Sequence, residues 1–316
     1  MLRFFFFPLG VLYVVLNYFR RKLYEIGFFK SISLPFSVIS VGNLTMGGSG
    51  KTPFCIYLAK HFDEKGLKVA IVLRGYKRKT KGAILVKNDS IAEEVGEEAL
   101  IYKRNLKCQV VVSEKREKAL NVLEYIPDVV ILDDGFQHLR VKRDLDIVLI
   151  DGSKKNDLLP YPIGNLREPI FSLKRANLII ITKSEEEKIP KKIEKYSESI
   201  TTLFAKYDWD KVLFPLNFPI ELLQEKRVLL LLGIGNPLFF QKQAESKNIN
   251  IVRNTLLEFE KNRCDFILTA EKDYIKWKKF EEMKEKLLYP KLLLKLIDKE
   301  NKLEKLLSQL KRNEQQ

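Results

Sequence analysis

The stretch from Val38 to Pro53, reading VISVGNLTMGGSGKTP, constrains this chain more than any other. A β-branched run gives way to glycines at 42, 47, 48 and 50, then to Lys51-Thr52 and an apolar-periodic segment. That order predicts a strand, a phosphate-binding loop and a helix. Glycines let backbone N–H groups turn toward phosphate oxygens, a lysine adds positive charge, a Thr hydroxyl suits Mg²⁺, and the helix start contributes its dipole. Thr45, Met46, Gly47, Gly48, Ser49, Gly50, Lys51 and Thr52 are therefore the expected nucleotide contacts. The general pattern G-x-x-x-x-G-K-[ST] asks for glycine where this chain has Thr45, but Gly47 and Gly48 still permit a tight loop. Pro53 falls in the first helical turn, where its missing N–H costs nothing.

Strand and helix signals alternate on either side of this loop. Phe54–Phe62 reads as a helix with Phe54, Tyr57, Leu58 and Phe62 on one face, and His61 on it has no evident partner. Val69–Leu73 reads as a buried strand leading into the basic loop Arg74-Gly75-Tyr76-Lys77-Arg78-Lys79, a fitting place for an anion. Ile91–Arg104 reads as one helix with an acidic start, Cys108–Val112 as a strand, and Ser113-Glu114 as the start of a helix carrying Arg116. Val129–Leu132 then ends in Asp133-Asp134-Gly135-Phe136-Gln137-His138. An apolar strand closing on an aspartate is the usual partner of a phosphate loop, because the carboxylate holds Mg²⁺ beside the Thr hydroxyl. Gln137 and His138 bring further polar groups to the same loop. Asp146–Asp151 and Leu178–Ile181 add strands around the punctuated loop Leu158–Pro169.

The predicted fold is α/β and P-loop NTPase-like: a doubly wound, mostly parallel sheet over residues 31–205. Residues 1–30 form an N-terminal membrane-associated helix, and 206–316 a smaller C-terminal α/β domain. That domain carries strands near Val228–Leu232 and Phe266–Leu268 and a basic amphipathic helix from Leu287 onward. The run Met1–Phe19 is the most apolar part of the protein and is closed by Arg20, Arg21 and Lys22. Pro8 and Asn17 interrupt it, so it is expected to lie in the bilayer interface with basic groups reaching lipid phosphates. The formal net charge of +15 calls for an anionic partner. Cys55, Cys108 and Cys264 are scattered and only His61 and His138 are present, which argues against disulfides and a histidine zinc site.

Together these strings resemble the tetraacyldisaccharide 4′-kinase family, the lipid A 4′-kinases. They are Ser40–Pro53, Arg74-Gly75-Tyr76, Asp133–His138, Leu166-Arg167-Glu168-Pro169, Gly233-Ile234-Gly235-Asn236-Pro237 and Glu271-Lys272-Asp273, in the family's order over about Phe36–Lys276. The resemblance implies transfer of the ATP γ-phosphoryl group to the 4′-hydroxyl of a tetraacyldisaccharide 1-phosphate, giving lipid IVA. It places the protein on the cytoplasmic face of a bacterial inner membrane; separately, a monomer is expected. In that frame Lys51 meets the β- and γ-phosphates, Thr52, Asp133 and Glu168 serve Mg²⁺, and Asp134 stands beside them. His138 is a further catalytic candidate. Arg116 and Arg167 match family arginines and would steady phosphate charge. The family's proposed base, an Asp in Gly-Asp-Glu, corresponds here to Glu97 in Gly96-Glu97-Glu98. The family's Asp-His-His string has no counterpart, because Asn254–Cys264 lacks histidine.

Two other classes remain for comparison. Thr182-Lys183-Ser184-Glu185 faintly resembles a guanine-reading loop, as in a P-loop GTPase switch or metallochaperone, and a preference for GTP over ATP would favour it. A nucleic-acid-binding ATPase is suggested by net charge alone. The chain carries no aromatic-basic RNA motif or helix-turn-helix, so no nucleic-acid partner is expected.

Overall fold

The computed structural model describes residues 7–153, 159–184, 186–252 and 264–310. It divides into two compact units: residues up to Lys206 together with those from Leu296 form the first, and Tyr207–Lys295 the second. The chain thus returns to the first unit, whereas the sequence reading kept everything after residue 205 in the second domain.

The first unit opens with helix α1 (Phe7–Glu25), followed by β1 (Ser37–Asn43), α2 (Lys51–Glu64), β2 (Val69–Leu73) and β3 (Ile84–Leu85). After α3 (Ala92–Val95), α4 (Glu97–Asn105) and β4 (Gln109–Val112) comes a 3₁₀ turn, Arg116–Val122. The strands β5 (Val129–Asp133), β6 (Leu145–Asp151), β7 (Leu178–Thr182) and β8 (Thr201–Phe214) complete the sheet. The strand order is β8-β7-β6-β1-β5-β2-β4-β3, parallel throughout except for the short β3. β1 lies between β5 and β6, where the winding reverses, so the loop after it opens into the crevice that such sheets use for ligands. Every residue of β1, β2, β5 and β7 is buried, as expected of parallel strands covered on both faces.

Helix α2 covers one face with Phe54, Cys55, Leu58, Ala59 and Phe62, and Tyr57 is only half-buried. On the other face Val38, Val72, Val130 and Leu132 pack with Ala119 of the 3₁₀ turn. The single helix expected over Ile91–Arg104 is broken at Gly96, whose φ of 87° and ψ of 153° suit glycine alone. Ser113-Glu114 leads into the 3₁₀ turn rather than an α-helix.

The last element of the first unit is a helix, Lys302–Leu307, which buries Leu303 and Leu307 and sends Glu304 to α2. Glu304 Oε2 lies 3.0 Å from His61 Nε2 and its other oxygen meets Lys65, so His61 does have a partner, far along the chain.

In the second unit the short β9 (Phe218–Pro219) pairs antiparallel with β8, β10 (Val228–Leu231) pairs in parallel with β11 (Ile251–Val252) and β12 (Phe266–Thr269), and β12 pairs with β13 (Leu287–Ile297). The segment from Leu287 is therefore a strand and not the expected basic helix. Its first residues fill the slot beside Ile267 and Leu268, and burial there overrides a helix-compatible pattern. β8 passes into this unit, and its alternation of buried Leu203, Ala205, Tyr207 and Trp209 with exposed Lys206 and Asp208 is a strand signature, although no strand is among the sequence expectations there. The stretch Asn254–Arg263, where the family string is missing, and residues 1–6 and 158 lie outside the described residues.

Gly42 is required by close approach. A Cβ there would stand 2.5 Å from Phe136 Cβ and 3.0 Å from Phe136 N. Gly42→Ala is expected to cost about 1–3 kcal/mol in denaturant unfolding, the usual penalty for overpacking, and to loosen the loop that Phe136 anchors.

Candidate functional site

Three loops distant in sequence are joined at the carboxyl end of β1. Val41 is the register partner of Asp133, so the acid that ends β5 lies beside the strand that feeds the phosphate loop. Met46 N–H donates to Asn165 O and Arg167 N–H to Leu44 O, both at 2.7 Å, and Thr45 bridges Leu166. Gln137 Nε2 donates to Asn43 O at 3.0 Å. The loop therefore begins as a two-sided seam with Leu166-Arg167 and closes on α2, where Lys51 and Thr52 are the first helical residues.

Side chains complete the junction. Asp134, with φ 55°, accepts two bonds from one Arg167 NH group at 2.8 and 2.7 Å, and Lys51 Nζ lies 3.3 Å from its Oδ1. Burial works to raise the Asp134 pKa, but Lys51 and Arg167 outweigh it, and the carboxyl is held below its usual range. Asp133 has the opposite fate. Burial, with Glu98 and Asp134 repelling it, pushes its pKa up to about 7 despite Lys51. Its Oδ1 has no hydrogen-bond partner among the described residues. The neighbouring Tyr102 hydroxyl and Cys55 thiol are fully enclosed, and both are driven upward in pKa, chiefly by burial. Arg116 is buried beside the two aspartates, its terminal nitrogen 3.5 Å from Asp133 O, and desolvation lowers its pKa.

A carboxylate with an orphan oxygen and a raised proton affinity, next to a phosphate loop, is a fitting ligand for Mg²⁺, which takes one or two protein groups and completes its shell with phosphates and water. Among the described residues no cluster of three or more His, Cys, Asp or Glu could hold a metal unaided. Thr52 stands at the loop's end, as expected. Glu168 is buried with Oε2 engaged by Arg175 at 2.8 Å, so only its other oxygen or a water could meet a metal. His138 lies 3.6 Å from Glu117 Oε2 and burial, reinforced by the Arg116 charge, lowers its pKa to about 4. Glu97 is the first residue of α4, half-buried beside Glu98.

The basic loop after β2 is partly committed: Arg78 is bound by Glu114 at 2.6 Å, while Arg74, Tyr76 and Lys77 remain exposed. The basic flank of α1 is also committed. Arg20 donates to Gln137 O at 3.2 Å, Arg21 and Lys22 pair with Glu25, and Arg21 lies over the Phe171 ring. Tyr13 Oη donates to Arg167 O at 2.7 Å, so the helix touches the seam itself. Its opposite face exposes Leu9, Leu12, Leu16 and Phe19, an apolar patch of the kind that marks an interaction surface. No described helix is long and apolar enough to cross a membrane.

The family described as Tetraacyldisaccharide-1-P 4'-kinase (LpxK) matches residues 2–311. The chain belongs to this family. It is 36% identical over 300 residues to the tetraacyldisaccharide 4'-kinase of Aquifex aeolicus (strain VF5), covering 90% of this chain and 92% of that one. It is 34% identical over 298 residues to the Flavobacterium psychrophilum tetraacyldisaccharide 4'-kinase, with 85% and 86% covered. The crystal structure of the "apo" form of LpxK from Aquifex aeolicus in complex with ATP superposes with a TM-score of 0.80 at 34% identity, covering 98% of this chain and 99% of that one. As a member of the kinase family the chain takes the P-loop NTPase-like α/β fold that the sequence implied.

Sequence reasoning assigned no role to Tyr13, Arg175, Glu117, Tyr102 or Glu98. Only Glu98 carried a signal, its place in the acidic helix start; the others act through contacts that no motif spacing shows.

The opposed pKa shifts give a pH signature. A folded-state pKa near 7 against an unfolded value of about 3.9 means the native protein binds that proton more tightly. The stability it contributes is full below about pH 4 and is lost as pH rises through about 7. Asp133→Asn should therefore melt above the wild type at pH 8 in EDTA, by roughly 2–4 °C per kcal/mol recovered. The gap should close toward pH 4 in differential scanning fluorimetry. His138 loses stability in the other direction, as pH falls from about 6.5 toward about 4, and does so in both proteins.

Proposed function

We propose that this chain is an ATP-dependent tetraacyldisaccharide 4′-kinase that converts the acylated disaccharide 1-phosphate to lipid IVA in lipid A biosynthesis. The observation that carries this reading is the meeting of Lys51, Asp134 and Arg167 at the mouth of the phosphate loop, in a chain of this family.

Phosphoryl transfer needs little covalent help from a protein and depends on positioning and charge stabilisation. Lys51 would neutralise the β- and γ-phosphates. Arg167, already oriented by Asp134, and Arg116, already desolvated, would face charge on the transferring group. Thr52 and Asp133, with Glu168 through its remaining oxygen or a water, would hold Mg²⁺, which would supply neutralisation of charge at the phosphates. Glu97 would take the proton of the 4′-hydroxyl as its oxygen attacks the γ-phosphorus and ADP leaves. His138, neutral at physiological pH and set against Glu117, would support the loop that carries the aspartates.

The apolar face of α1 would lie on the cytoplasmic face of the inner membrane, presenting the site to a lipid head group. With Arg20 bonded to Gln137 O and Arg21 to Glu25, the apolar residues would supply most of that attachment. A monomer would suffice, since every proposed group comes from one chain.

Incubation with Mg-ATP and the disaccharide 1-phosphate in detergent should yield a product heavier by one phosphate. Lys51→Met should lower kcat/KM by about 10²–10³-fold, the scale of losing one preorganised charge-stabilising group. Glu97→Gln should lower kcat with little change in the KM for ATP; retention of most turnover would remove Glu97 from the base role.

A further inference from the structure

Thr182 and Lys183, from the stretch that faintly resembles a guanine-reading loop, bond to the phosphate loop. β7 ends at Thr182, and at Lys183 the backbone takes a φ of 57°, in the left-handed region that a non-glycine residue seldom adopts. From that turn Lys183 Nζ donates to Gly48 O at 2.6 Å and to Asp151 Oδ2 at 3.0 Å. Thr182 Oγ1 donates to Ser49 O at 3.0 Å and approaches Ile150 O at 3.3 Å. Asp151, the last residue of β6, is itself fixed, its Oδ1 accepting from Ser153 N at 3.1 Å and Ser153 Oγ at 2.6 Å. The Lys183 and Asp151 side chains are only 9% and 3% exposed, so this pair is well shielded from solvent screening.

The consequence lies in the peptide planes. A trans peptide directs its C=O and N–H to opposite sides. Holding the Gly48 and Ser49 carbonyls toward β6 and β7 turns the succeeding peptide N–H groups to the other side, where Ser49 N–H closes a short turn on Gly47 O at 3.1 Å. A carbonyl swung into the cradle would instead oppose phosphate oxygens, acceptor against acceptor. Glycines permit either orientation, so the motif itself does not choose between them. Two donors from another strand do.

We propose that Lys183, locked by Asp151, and Thr182 are positioning residues that keep the Gly48 and Ser49 carbonyls turned away from the nucleotide. They thereby set affinity for its β- and γ-phosphates without touching it. The proposal rests on the nucleotide-binding reading of Thr45–Thr52 and is independent of the lipid acceptor.

The test compares Mg-ATP, Mg-ADP and AMP binding to the full chain by competition against a fluorescent ATP analogue, with no lipid present. Lys183→Met should weaken ATP and ADP by about tenfold, the loss of one charged hydrogen bond, and leave AMP nearly unchanged. Because Lys183→Met strands Asp151, the paired variant Lys183→Met with Asp151→Asn, and separately Thr182→Val, guard against a folding defect. Each should reproduce the phosphate-dependent loss with a melting temperature close to wild type. In turnover, the KM for ATP should rise while the KM for lipid holds. Wild-type ATP affinity in the paired variant and in Thr182→Val would overturn the proposal, as would an equal loss for AMP, which would make Lys183 a contact of the base. Failure of the wild type to bind ATP would instead defeat the nucleotide reading, and it is seen before any variant is made.

Discussion

The constraint on which the site depends is the reversal of winding at β1. With β5 on one side and β6 on the other, the loop leaving β1 opens where the winding reverses, and the loops after β5 and β6 converge on the same opening. Gly42 lets Phe136 close over β1, the Met46–Asn165 and Arg167–Leu44 backbone bonds seam the phosphate loop to the following loop, and Lys51, Asp134 and Arg167 complete the junction. Such a half-exposed ion network contributes little net stability. Its value is geometric, since it orients two cations toward one point.

The paired aspartates show how neighbouring residues of one type acquire different chemistry. Asp134 looks toward cations and is held ionised, while Asp133, one position earlier and still in the strand, is enclosed with Tyr102, Cys55 and the field of Glu98. A buried carboxylate in that state destabilises the metal-free protein at neutral pH. A bound cation would offset that cost, an exchange of stability for function.

Helix α1 joins the same system from outside. Gly10 packs so closely on Ile163 that a Cβ would lie 2.4 Å from its Cδ1, and Tyr13 and Arg20 reach the backbones of Arg167 and Gln137. A segment that reads in sequence as a membrane-associated helix is thus docked on two of the three loops that build the site.

By itself, the sequence determined the phosphate loop, the strand-final aspartates, a mostly parallel α/β sheet and the family, because glycine spacing, β-branched runs and helix periodicity act over a few residues. Strand β8 was equally legible through its alternation, and was overlooked. Tertiary structure alone decided that His61 meets Glu304, that Leu287–Ile297 is a strand, that Glu168 is claimed by Arg175, and that Lys183 braces Gly48. His61 and Lys183 meet partners more than a hundred positions away, the strand is decided by burial, and Glu168 and Arg175, though seven positions apart, are joined by a chain fold that no local periodicity predicts. Local pattern records which groups a residue offers, and only the folded chain settles which partner receives them.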